Sequence, residues 1–349
     1  MFLTPENTSW AQALKYCYHD FYHLPAYVSL EAGWHNAKPL AFRYDSGGNT
    51  MLLPLLVRPT PAGTGVDAVT PYGYSPPVCT YGASEQFLVE GLSAYQRAAI
   101  DKGHVTTFMR LHPIVCEKLP LRESFANGKW TQTDRGFTVN MPLDQDYDSW
   151  LASLNKGQRY DIRRLHREGC RFLMNTDEAW DSFPDIYTKN MERIGASDHY
   201  LYSVKYLEEL QARLDGNIYC CAVADSNGEV MCAALFTSVS GILQYHLSGT
   251  KLKFSKLAPT KLLLTKMREW AKENQIEHFH LGGGFGSGED TLYNFKKRFG
   301  GDRLTFRTVS VIHDQEAFTR ECEAYYKKNS EPVNNDFFPP YRAPTGPDG

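Results

Sequence analysis

Apolar and polar positions along the chain divide it into alternating helical and extended stretches. A helical apolar pattern covers residues 10–18, and the period then shortens to that of strands over residues 39–45 and 51–58. Ser46-Gly47-Gly48-Asn49 lies between these two runs, which therefore read as a hairpin. A loop rich in Pro, Gly and Tyr follows at 70–81, then a helix at 84–102 and a strand at 105–111. The second half repeats this order. Helical segments at 147–167, 180–194 and 204–214 precede three strand-like runs at 218–224, 229–237 and 242–248. Asp225-Ser226-Asn227-Gly228 and Val239-Ser240-Gly241 join the runs, which predicts an antiparallel meander. A helix at 259–273, a strand at 277–281, a glycine loop and a short helix at 290–298 come last. Each half reads as helices, hairpin or meander, helix, strand, so a structural duplication is expected without a sequence repeat. The expected domains are 1–145 and 146–328, with 329–349 as an extended tail.

Composition changes this picture little. With 42% apolar and 22% charged residues, wholesale disorder is excluded, and 349 residues suit about two domains. No run reaches the roughly 20 apolar residues of a membrane helix, and the N-terminus lacks a basic start and apolar run. The expectation is a cytoplasmic protein with no integral membrane segment. Eight cysteines without a CxxC pair are expected to be reduced thiols, mostly buried.

Charge is more informative. Lys and Arg number 37 against 40 Asp and Glu, yet residues 151–175 hold six basic side chains against two acidic, and residues 251–273 hold seven against two. Either segment alone could be a solvated helix face; two together favour a polyanionic ligand. In the first, Arg159 and Arg163 stand at i and i+4 with Arg164 beside them, a row able to hold phosphates. If they do so, replacing Arg159 and Arg163 by Ala is expected to weaken binding and leave the melting temperature nearly unchanged. In the second, Lys256 precedes a helix opened by Pro259, where free amides attract an anion. The stripe Leu263, Met267 and Trp270 of that helix is expected to face the sheet.

The loop Leu281-Gly282-Gly283-Gly284-Phe285-Gly286-Ser287-Gly288 sits between a strand and a helix, but it fits neither G-x-G-x-x-G nor the P-loop. Nucleotide hydrolysis and dinucleotide chemistry are disfavoured. No G-x-S-x-G elbow or H-E-x-x-H helix occurs, and His246, His278 and His280 lack a carboxylate or thiol at ligand spacing, so no metal is expected.

Leu281-Gly282-Gly283-Gly284, then Glu289-Asp290, then Leu292-Tyr293-Asn294-Phe295-Lys296-Lys297-Arg298-Phe299-Gly300-Gly301 resembles the signature of Fem-type transferases, the FemABX and related acyltransferases of the GNAT superfamily. Arg159-Tyr160-Asp161-Ile162-Arg163-Arg164, Leu257-Ala258-Pro259, Tyr72-Gly73-Tyr74 with Pro76-Pro77, and the closing Phe337-Phe338-Pro339-Pro340-Tyr341-Arg342 are similar to further blocks of that family. The resemblance covers nearly the whole chain. It implies an α/β (α+β) fold of two tandem GNAT-like domains, each a mixed, mostly antiparallel sheet flanked by helices. The form is compact, without a coiled-coil insertion. The active cleft would lie between the domains or beside them in the second.

The implied reaction moves an aminoacyl or acyl group to an amine acceptor, a peptidoglycan precursor or a small molecule, with no cofactor and no DNA. Aminoacyl-tRNA, through its acceptor end, is the favoured donor. Acyl-CoA is the alternative, although residues 255–260 lack the Gln-x-x-Gly-x-Gly/Ala loop of acetyl-CoA enzymes. A non-catalytic module binding tRNA ends or nucleotide-linked precursors is the second alternative. By the same resemblance Lys296, after Phe295, would polarise the donor carbonyl; a surface lysine on a basic helix is the other reading. Glu289 and Asp290 are candidate acceptor contacts or weak bases, with an N-cap as the alternative for Asp290. Gly283 and Gly284 would let the chain approach a ligand. Tyr72 and Tyr74 would wall an acceptor pocket or pack as a plain loop.

Overall fold

The computed structural model describes residues 1–119, 125, 130–197, 200–285, 288–329 and 337–343. Its contacts divide it into two units, Met1–Arg135 with Phe306–Gly349, and Gly136–Thr305. The first part of the chain forms β1 (Phe2–Leu3), α1 (Thr8–Leu14), α2 (Pro25–Trp34), β2 (Lys38–Ser46), β3 (Asn49–Pro59), β4 (Val66–Val69), β5 (Val78–Cys79), α3 (Glu85–Asp101), β6 (His104–Leu111) and α4 (Pro113–Glu117). It continues through β7 (Thr131–Met141), α5 (Tyr147–Ser153), α6 (Lys156–Arg167), β8 (Arg171–Met174), α7 (Asp177–Arg193), α8 (Val204–Arg213), β9 (Ile218–Ala224), β10 (Val230–Val239) and β11 (Ile242–Thr250). The last elements are α9 (Thr260–Glu273), β12 (His278–Gly283), α10 (Thr291–Lys297), β13 (Asp302–Ile312) and α11 (Gln315–Lys328).

The expected duplication is present in the strand order. In the first unit the order is β1-β2-β3-β4-β6-β13, antiparallel except for the pair β4 and β6, which α3 connects. In the second it is β7-β12-β11-β10-β9-β8, antiparallel except for β11 and β12, which α9 connects. A parallel pair needs a crossover, and a helix supplies it in both units.

The chain boundaries differ from the expected 1–145 and 146–328. β7 follows the first unit's elements in sequence, yet residues 138–141 pair with β12 of the second. β13 follows the second unit's elements, yet Arg307–Ile312 pairs with β6 of the first. The second unit is thus one continuous segment that begins within β7, while the first is completed by β13 and α11 from the far end of the chain, which a single linear cut cannot show. α11 stays with the first unit, where buried Glu321 accepts hydrogen bonds from the amides of Ala62 (2.8 Å) and Thr64 (3.1 Å).

Residues 337–343, expected as part of an extended tail, are docked on the first unit. Asp67, itself buried, accepts from the hydroxyls of Tyr341 (2.7 Å) and Thr106 (2.8 Å) and from Arg342 Nε (2.6 Å). The Phe338 ring stacks on Phe108 and Phe318.

In the second unit, α9 buries Leu262, Leu263, Met267 and Ala271, and Trp270 packs half-buried against Tyr219. That helix also buries Arg268, whose guanidinium donates to the carbonyls of Pro142 (2.8 Å) and Gln145 (2.7 Å) and lies over the Trp150 ring. All eight cysteines are free, and burial raises their thiols above the ordinary range at Cys17, Cys79, Cys220, Cys221 and Cys232, which suits packing rather than nucleophilic chemistry. Among the described residues no helix is long and apolar enough to cross a membrane.

Candidate active site

The parallel pair of the second unit comes apart part-way along its strands. β11 and β12 pair at Ile242 with His278, Leu243 with Phe279 and Gln244 with His280, and no further. Beyond these residues β11 stays with β10 as far as Thr250, and β12 stays with β7 as far as Gly283. A register shift interrupts each of those outer pairings at the point of parting, between Leu235 and Phe236 opposite β11 and between His280 and Gly282 on β12. Such bulges bend a strand and re-aim its side chains. Two bulged strands therefore diverge beyond Gln244 and His280.

Lys296 reaches this place from α10. It is only 7% exposed, and its Nζ donates to the Gly283 carbonyl at 2.7 Å and lies 5.8 Å from the centre of the Tyr245 ring. Burial pushes its ammonium down to about 8, and the charge of Asp290 opposes that shift. An ammonium has three donors, and among the described residues one of them is taken, by the Gly283 carbonyl. Phe295, the residue before it, packs into the core with its ring edge-on to Phe299 at 5.4 Å.

The loop that ends β12 is folded around Asp290. One carboxylate oxygen accepts from the Tyr293 amide (2.7 Å) and caps α10; the other accepts from the Phe285 amide (2.8 Å). Of the two readings of this residue, the geometry gives the N-cap. A Cβ on Gly284 would lie 2.3 Å from Asp290 Oδ1, and one on Gly283 2.8 Å from the Phe137 carbonyl. These glycines are needed where the loop closes on its own cap and where β7 comes near. Glu289 is exposed and ion-paired to Arg303, whose guanidinium lies over Phe137. Gly286 and Ser287 lie outside the described residues.

The basic row of α6 separates into different roles. Arg159 donates to the carbonyls of Ala152 (2.8 Å) and Leu154 at the end of α5. Arg164 donates to the Leu257 carbonyl (3.0 Å), and Asp161 beside it pairs with Lys261 of α9 at 2.6 Å, so this edge of α6 is fastened to the start of α9. Arg163 is exposed and forms no ion pair among the described residues, and Lys256 is exposed on the turn before α9. The amides of Lys261 and Leu262, expected to be free at the start of α9, donate to the carbonyls of Ala258 and Pro259 at 3.0 Å each.

The expectation that Arg159 can be replaced without loss of stability is therefore revised. Arg159→Ala should lower stability by about 1 kcal/mol, since it removes hydrogen bonds to the end carbonyls of α5. Arg163→Ala should leave thermal melting unchanged and reduce the salt slope of polyanion binding by about 1. Equal melting temperatures for the two variants would show that the Arg159 contacts contribute nothing.

Tyr72 and Tyr74 belong to the first unit. The Tyr72 carbonyl accepts from Tyr27 Oη (3.0 Å) and its amide donates to Glu31 (3.3 Å), while the Tyr74 ring meets Tyr22, His112 and Phe306 edge-on. On β12, His280 pairs with Gln244 at 2.6 Å. Sequence reasoning missed Tyr245, whose ring faces Lys296, because nothing in the run 242–250 marks where a bulge falls. It also left Phe285 unremarked in the glycine loop.

Residues 152–297 match a family model described as an acetyltransferase (GNAT) domain. FemX matches over the whole length. Its crystal structure superposes with a TM-score of 0.70 at 13% identity, covering 95% of this chain and 100% of FemX. The chain has the fold of FemX. The same fold recurs in L-PGS from Bacillus licheniformis, with a TM-score of 0.58, 14% identity, and coverage of 89% of this chain and 93% of that one. It recurs also in a C-terminal domain from Agrobacterium fabrum described as that of a lysylphosphatidylglycerol synthetase, at 0.58 and 14%, covering 93% of this chain and 97% of that one. No curated protein matches the chain in sequence. In this Fem-type fold Lys296 falls on the last residues of the GNAT match, next to the parted strands.

Proposed function

We propose that the chain transfers an aminoacyl group from aminoacyl-tRNA to the amine of an acceptor, a peptidoglycan precursor or a small molecule, and forms an amide. The observation that carries this reading is a buried lysine, Lys296, fixed by Gly283 beside the place where β11 and β12 part. A cation held in position with donors to spare is what an ester aminolysis needs most, because the barrier lies in the charge that develops on the carbonyl oxygen. The neutral amine attacks the donor carbonyl, a C–N bond forms, and Lys296 stabilises the tetrahedral oxyanion. The C–O bond to the donor then breaks, and the proton lost by the amine ends on the departing hydroxyl. The remaining work is positioning. The Fem-type fold supports the reading, as does the name lysylphosphatidylglycerol synthetase, which denotes attachment of a lysyl group.

The acyl-CoA alternative draws on the acetyltransferase model that matches residues 152–297. Against it, the amides of Lys261 and Leu262 in the first turn of α9 are taken by Ala258 and Pro259, which leaves less backbone there for a pyrophosphate. Labelled aminoacyl-tRNA and labelled acyl-CoA, offered in parallel with a panel of amines, separate the two donors. Alkali-stable label on an amine from the first donor alone is expected. Label from acyl-CoA alone would replace the reading with its alternative, and binding without transfer from either would make the protein a binding module.

A further inference from the structure

Phe285 is an exposed apolar side chain beside a buried charge. It is 61% exposed, although Gly283, two residues earlier, holds Lys296. Its backbone is fixed, since the amide donates to Asp290. The ring of Tyr200, from the connection between α7 and α8, meets it with centroids 6.2 Å apart and planes at 56°. That connection is anchored as well. Tyr187 Oη donates to the Tyr200 carbonyl at 2.8 Å, the Tyr187 ring stacks on Tyr202, and Tyr202 stacks on Tyr206 at 4.2 Å. Two aromatic rings from separate, pinned loops thus meet at the surface. Exposed aromatic faces on anchored backbone are what the bases of a nucleic acid strand stack on.

We propose that Phe285, supported by Tyr200, is the stacking platform for the terminal adenine of the tRNA donor. The inference rests on the tRNA-dependent reading above and specifies where the 3′ end lies. Spacing favours this donor over CoA. Two residues span at most about 7 Å, so the backbones of Phe285 and Gly283 are close, and a base stacked on the ring lies within one side chain's reach of that loop. In an aminoacyl-tRNA the ester sits on the ribose of that same terminal adenosine, one sugar from the base. In an acyl-CoA the whole pantetheine arm separates adenine from thioester, so a base on Phe285 would require that arm to be folded back.

Calorimetric titration of the full chain with the trinucleotide CCA, the dinucleotide CC and CoA tests this without relying on turnover. Phe285→Ala, at an exposed site, should weaken CCA binding about ten-fold, the effect of losing one base stack. Its CC affinity and its KM for the amine acceptor should stay unchanged, and Phe285→Trp should retain CCA binding. Unchanged CCA affinity in Phe285→Ala would overturn the platform while leaving the transfer reading in place, as would an equal loss for CC or a rise in acceptor KM alone. A wild-type protein that binds CoA and not CCA, or neither, would remove the tRNA reading and the platform with it.

Discussion

Lys296→Met should lower kcat by about 10²- to 10³-fold, the usual effect of removing one donor to a developing oxyanion, with little change in KM. Methionine keeps most of the buried stem and deletes the charge, so the loss reports on the ammonium. Lys297→Met is the control, because consecutive helix residues point about 100° apart and only one can face the Gly283 carbonyl. The pH dependence gives a second check. Lys296 is cationic below about 8 and neutral above. Wild-type kcat should therefore fall as pH rises through about 8, after any rise that comes from deprotonating the acceptor amine, and the falling limb should vanish in Lys296→Met. A limb that rises through 8 and depends on Lys296 would instead make it a base.

The same burial carries a stability signature of known sign. The folded-state value lies below that of an unfolded lysine, near 10.4, so between about 8 and 10.4 the unfolded chain binds more protons than the native one. Wild-type stability should rise relative to Lys296→Met across that window and not below it. A residue kept charged in a costly place at neutral pH is expected at a site where charge is used.

The largest stability effect is expected in the first unit, from Asp67→Ala. The change takes the shared acceptor from Tyr341, Thr106 and Arg342, all gathered on one buried carboxylate. Breaking a buried hydrogen-bonded ion pair from one side costs roughly 3–5 kcal/mol, so a loss of about 3 kcal/mol in denaturant unfolding is expected where Arg342 keeps some access to water. Ending the chain at residue 329 should be comparably harmful, and the two changes together should fall well short of additive because they remove one interaction. Full additivity would mean that residues 337–343 are held by something other than Asp67.

These expectations also mark how far the sequence could be read. Elements with a strong period or a clear turn were legible: the hairpin of β2 and β3 through Gly47-Gly48, the meander of β9 to β11, and α9 with its apolar stripe. β7 was not, because most of its side chains are polar and partly exposed, so no alternation announces it. With β7 unread, and with no local signal that β13 returns to the first unit, the expected boundaries at 145 and 328 differ from the observed divisions after Arg135 and Thr305. At the site, the Phe-Lys pair and the glycine loop were legible as a resemblance, and the N-cap at Asp290 as an open alternative. What could not be read is which cation is free. Arg159 and Arg163 look alike at i and i+4, and only the carbonyls at the end of α5 decide that the first is engaged. Burial of Lys296 and the parting of β11 from β12 are tertiary facts with no local signal.

The most direct test of the central claim is single-turnover transfer from tRNA charged with a labelled amino acid to an amine acceptor, followed for wild type and Lys296→Met side by side. Alkali-stable label should appear on the acceptor with wild type, and about 10²- to 10³-fold more slowly with the variant. Label that remains on tRNA with both proteins, or that moves at equal rates, would contradict it.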